Sequence, residues 1–77
     1  MTIEQKAQKL AEEKGWEWVE SSRLRHPDDH YMLYTITIVN GKYATHLYNE
    51  DLNGFAYGHY DITSLETARE DVQERLK

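Results

Sequence analysis

The 77-residue chain reads as an α+β domain. The predicted architecture is a two-layer sandwich in the order α-β-β-β-(β)-α, with an antiparallel sheet of three or four strands and both helices on one face of it. Three observations predict it. Apolar residues recur at helical spacing at the start of the chain and again at its end, and a β-rich stretch centred on Asn40-Gly41 lies between them. A chain of this length has material for one hydrophobic core, so residues 1–77 are expected to form a single domain.

Thr2 followed three residues later by Gln5 fits a capping box, and Ile3, Ala7, Leu10 and Ala11 form the apolar stripe of the first helix. Gly15 ends it, because glycine enters the left-handed backbone beyond a helix without steric cost. Residues 16–19 are aromatic and β-branched, which favours a strand that can run on through Ser21, Ser22 and Leu24. Residues 25–29, with Pro27 and two aspartates, form a turn.

Residues 31–48 carry the strongest signal. Two β-rich runs flank Asn40-Gly41, the pair preferred in a two-residue type I′ turn. That turn fixes the register: Ile38 faces Tyr43, Ile36 faces Thr45 and Tyr34 faces Leu47, all on the side expected to meet the helices. The other side then carries Tyr31, Leu33, Thr35, Thr37 and Val39 beside Ala44, His46 and Tyr48, and is expected to be open. Residues 49–54 are turn-forming, and residues 55–60 make a short fourth strand weakened by Gly58. Thr63 and Glu66 stand at capping-box spacing before a final helix striped by Leu65, Ala68, Val72 and Leu76.

Composition narrows the function classes. The chain has no cysteine, which removes disulfides, thiolate metal sites and a cysteine nucleophile. Net charge is -5 and the excess acid sits in residues 50–77, so the lysines and arginines form no stripe able to displace phosphate counterions, and direct nucleic-acid binding is disfavoured. No apolar run approaches the ~20 residues of a membrane span, and the first ten residues lack the basic start and apolar run of a secretory signal, so a cytoplasmic location is expected.

Two loops contain possible metal ligands. Residues 49–54 begin like a calcium-binding loop, but Tyr60 stands where that loop needs a bidentate glutamate. Residues 26–30 bring two histidines and two aspartates together in what is more simply a solvated turn. Neither supports a metal or cofactor. No nucleophile elbow, zinc-binding helix motif or phosphate loop is present, so a non-catalytic role is expected.

The order of elements around the Val39-Asn40-Gly41-Lys42 hairpin resembles the layout of double-stranded RNA-binding domains in topology. Where those domains begin their second helix with basic residues, this chain has Thr63-Ser64-Leu65-Glu66-Thr67-Ala68. The resemblance therefore implies a layout, with nucleic-acid binding as an alternative function.

Two tryptophans and six tyrosines are more than filling a small core requires. The expected function is a small protein-interaction module, an accessory, adaptor or inhibitor protein of the kind phages and mobile elements encode. It would bind a protein partner through the open face at Tyr31, Thr35, Thr37, His46 and Tyr48, or through the acidic final helix at Glu66, Glu70 and Glu74. A homodimer joined by two open faces is the other alternative.

Overall fold

The computed structural model describes residues 1–25 and 31–76, with side chains placed for residues 1–22 and 32–76. The order is α1 (Ile3–Glu13), β1 (Glu17–Arg25), β2 (Tyr31–Val39), β3 (Lys42–Asn49), β4 (Gly54–Ile62) and α2 (Leu65–Leu76). The four strands form one antiparallel sheet in the order β1-β2-β3-β4. The turn proposed for residues 25–29 and the cluster at residues 26–30 lie outside the described residues, apart from Arg25.

Local signals set the first half of the chain. Thr2 Oγ1 accepts from the Gln5 amide at 3.1 Å while Gln5 Oε1 accepts from the Thr2 amide at 2.9 Å, closing the capping box. Gly15 takes φ +79° and turns the chain into β1. At the hairpin, Asn40 and Gly41 have φ of 53° and 81°, as a type I′ turn requires. The pairs Ile38 with Tyr43, Ile36 with Thr45 and Tyr34 with Leu47 form as that turn dictates.

The helices do not share a face, which corrects the two-layer expectation. Ile3 and Ala7 of α1 pack with Leu33 and Tyr48, joined by Leu10, Trp18 and Phe55. Ala68 and Val72 of α2 pack with Ile36, joined by Val19, Tyr34, Tyr43, Ile62, Leu65 and Leu76. Leu33 and Ile36 differ in parity along β2, and side chains alternate across a strand, so the two clusters lie on opposite sides of the sheet. The reason is in β2 itself, which is apolar at both parities: a strand with Leu33 on one side and Tyr34, Ile36 and Ile38 on the other needs a cover on each side. The face expected to be open is therefore the floor of α1.

Two further elements differ from expectation. The cap of α2 is Ser64, not Thr63: Ser64 Oγ accepts from the Thr67 amide at 3.1 Å, and the Ser64 carbonyl accepts from the Ala68 amide at 3.1 Å. The fourth strand runs over Gly54–Ile62, longer than residues 55–60. Its pairing with β3 slips twice, between Tyr43 and Thr45 and between Thr45 and Leu47. Tyr57 at φ 54° and Asp61 at φ 61° carry the left-handed backbone of these bulges.

Candidate functional site

Of the residues expected to form an open contact face, Thr35, Thr37 and Tyr48 are completely buried and His46 is 2% exposed. They do stand on one side of the sheet, as their parity requires, but α1 and Trp16 cover that side. Residues so covered cannot touch a partner in this conformation, so the structure removes the premise on which this set rested. Tyr31 is placed only by its backbone, opposite Arg25 in β1.

Each buried residue has a structural task. The Tyr48 hydroxyl donates to Asn53 Oδ1 at 2.6 Å and its ring meets Phe55 at 5.3 Å. Burial, with Glu50 adding to it, raises the Tyr48 pKa above its ordinary value. Thr35 Oγ1 donates to the His46 carbonyl across the β2–β3 ladder at 3.3 Å.

His46 is the most unusual of them. Trp16 stacks on its ring at 4.6 Å between centroids and 14° between planes, and Tyr60 meets it edge-on with its hydroxyl 2.7 Å from Nε2. The imidazole Nδ1 is buried without a hydrogen-bond partner among the described residues, as is Thr37 Oγ1 two positions along the neighbouring strand pair. Burial, with the positive charges of Arg75, Lys14 and His59 acting in the same direction, lowers the His46 pKa to about 4. The ring is therefore neutral at physiological pH.

On the opposite side of the sheet, Asp71 of α2 is the centre of a second polar cluster. Thr45 Oγ1 donates to its Oδ2 at 2.5 Å, His59 Nδ1 lies 2.9 Å from Oδ1, and Arg75 Nε lies 3.3 Å from Oδ2. Burial alone would raise the Asp71 pKa; the hydrogen bonds from Thr45 and His59 and the charge of Arg75 outweigh it, so the carboxyl titrates below its ordinary value. A carboxylate that orients a histidine is half of a catalytic relay, but the hydroxyl present bonds the carboxylate, where a relay needs it on the imidazole. The cluster fastens α2 to β3 and β4. On its other flank α2 is tied to β1 by Arg69, whose Nη2 donates to Glu20 Oε1 at 2.7 Å.

Glu66, Glu70 and Glu74 are exposed along one ridge of α2, at i, i+4 and i+8, beside a shallow groove that Leu65, Arg69 and Gln73 also line. They lie across the sheet from Thr35, Thr37, His46 and Tyr48, and of the two alternative contact sets only this one is exposed.

The aromatic residues that do reach solvent were not singled out by the sequence. Tyr57 is 77% exposed and Tyr60 53% exposed, both on β4, and Leu52 in the preceding turn is 80% exposed. That turn is held by Asn49, whose Oδ1 accepts from the amides of Asp51 and Leu52 at 2.9 and 3.3 Å. Gly58, read as a weakness of the strand, was the available signal: a Cβ there would come within 2.7 Å of the Tyr60 ring and 2.8 Å of His46 Nε2, so the aromatic arrangement requires glycine. No helix among the described residues is long and apolar enough to cross a membrane. Compared with protein-family models, with curated proteins and with solved structures, the chain finds no match in any of the three.

Proposed function

We propose that the chain is a non-catalytic protein-interaction module, an accessory, adaptor or inhibitor protein that meets a protein partner along the outer strand β4, through Tyr57 and Tyr60. One observation carries this reading: Tyr57 leaves 77% of its surface in solvent and holds a left-handed backbone at φ 54°. A non-glycine residue in that region costs about 1–2 kcal/mol, and so exposed a ring recovers little of it inside the fold. Tyrosine is the residue type that returns most when buried at an interface, since its ring is large and has few torsions to freeze.

The acidic ridge of α2 supports a second reading, contact with a cationic protein surface. Glu66, Glu70 and Glu74 are like charges at i, i+4 spacing, which weakens a helix by about 0.2–0.5 kcal/mol per pair and is relieved by a positive partner.

The test is capture of a partner from the native host by the intact chain, compared with Tyr57→Gly and with Glu66→Lys/Glu70→Lys. The first reading expects a protein held by the parent chain and by the charge variant but released by Tyr57→Gly, which itself melts no lower than the parent. Release by the charge variant alone selects the second reading. A captured protein held equally by all three overturns both, and sedimentation of the chain as a dimer that Tyr57→Gly breaks would make the partner a second copy.

A further inference from the structure

We propose that Trp16, His46 and Tyr60 form an acid-operated latch, in which protonation of the buried imidazole drives Trp16 and Tyr60 off it and opens that corner of the molecule while the β2–β3 hairpin stays paired. The proposal is tested on the chain alone, although Tyr60 belongs also to the surface proposed above for a partner.

The geometry leaves an imidazolium nowhere to go. Nε2 is engaged by the Tyr60 hydroxyl, and Nδ1 is buried with no partner among the described residues. In the imidazolium both ring nitrogens carry N–H, so Nδ1 becomes a charged donor that needs an acceptor or water. Among the described residues, the charges that act on the ring are those of Arg75, Lys14 and His59, and each disfavours the imidazolium. Lys14, at the end of α1, lies over the Trp16 ring at 5.5 Å; Thr35 and Thr37 of β2 are neutral; Phe55 and Tyr60 meet it from β4; and Arg75 of α2 and His59 of β4, both paired with Asp71, act on it from the far side of the sheet. The ring therefore resists protonation down to about pH 4 while closed, against 6.5 for an imidazole in water.

The ring also has no room to slide. Gly58 is already at the limit of approach, since even a methyl group there would overlap both Tyr60 and His46 Nε2. Relief must come by moving the covering residues outward, and both are attached at points that permit it. Trp16 follows Gly15 at φ +79°, in the turn between α1 and β1. Tyr60 stands between the positive-φ residues Tyr57 and Asp61, in the part of β4 where pairing with β3 is interrupted on either side of His59. The β2–β3 ladder beneath is continuous from Met32–Asn49 to Val39–Lys42 and is not needed for the movement.

By linkage, the opening equilibrium should rise by up to roughly 300-fold from well above pH 6.5 to well below pH 4, of which roughly 80-fold falls between those two values, the limit being set by the two affinities of the imidazole for a proton. The experiment uses Trp18→Phe, so that Trp16 is the sole tryptophan, and follows its emission, the far-ultraviolet circular dichroism and the His46 ring-proton NMR signal from pH 7.5 to 3.5. The expected result is a one-proton change in Trp16 emission with a midpoint between pH 4 and 6.5, abolished by His46→Gln, with the dichroism unchanged through it. Gly58→Ala, which pushes Tyr60 aside, should carry the midpoint toward 6.5 and keeps the test decisive if His46→Gln does not fold. The latch is overturned by a His46 signal titrating near 6.5 under constant Trp16 emission, by emission constant over the whole range, or by emission and dichroism changing together as the chain unfolds.

Discussion

Replacing Tyr48 by alanine tests the three-layer arrangement directly. Its side chain is fully buried against Ile3, Ala7 and Leu33, and its hydroxyl donates to Asn53. Truncating a buried aromatic residue to alanine costs about 3–5 kcal/mol, and loss of the hydroxyl adds about 1 kcal/mol or less, because Asn53 is exposed and its freed oxygen returns to water. The expected loss is about 4 kcal/mol. That equals the 2–5 kcal/mol expected for Ile36→Ala, buried on the other side. A domain of this size has roughly 4–11 kcal/mol in total, so Tyr48→Phe, at about 1 kcal/mol, serves as the mild companion variant. Urea unfolding measures each, with the midpoint compared at constant slope. A double-mutant cycle then identifies the face: Ile3→Ala and Tyr48→Ala should couple by 0.5 kcal/mol or more, while Ile3→Ala and Ile36→Ala, separated by the sheet, should add. Tyr48→Ala at the parent midpoint, or coupling of Ile3 with Ile36 and not with Tyr48, would refute the placement of α1.

Asn40→Ala and Gly41→Val should each lower stability by about 1 kcal/mol or more, since both positions have positive φ; unchanged thermal unfolding would contradict the turn. Ser64→Ala should cost about 1 kcal/mol and Thr63→Ala much less, and the reverse order in the same melts would return the cap to Thr63. Stability should fall in two acid stages. A folded pKa below the unfolded one means that the unfolded chain binds the proton first, so the contribution of His46 is complete above pH 6.5 and is lost on the way down to 4, by up to about 3 kcal/mol while the ring stays covered and by less once Trp16 and Tyr60 open; that of Asp71 is lost at still lower pH. Urea midpoints measured from pH 7.5 to 3 read both stages, and Asp71→Asn should remove only the lower one.

How legible the fold was depended on whether its cause is local. The capping box of Thr2 and Gln5 and the Asn40-Gly41 turn act within a few residues, and the register of β2 on β3 follows from the turn alone. Ser64 and Thr63 are adjacent hydroxyl residues with equal claims, and only the direction of the backbone entering α2 separates them. The strand β4 was half hidden because its bulges use Tyr57 and Asp61 at positive φ, and neither residue type announces that conformation as glycine does.

The candidate surface was misplaced for a different reason. Parity along β2 and β3 was correct, but parity says only which residues share a side; what covers that side is a question of where a helix has apolar floor to lie on. Leu33 and Tyr48 offered one floor, and Tyr34 and Ile36 another. With two helices and two floors, placing both helices together would have left one floor wet, at about 25 cal/mol for each Å² of apolar surface. The excess of aromatic residues follows from this. A sheet covered twice needs large side chains on both sides, so Trp18, Tyr48 and Phe55 serve α1 while Tyr34 and Tyr43 serve α2. The rings that reach solvent are then Tyr57 and Tyr60, on the edge strand β4, which neither helix's core cluster includes.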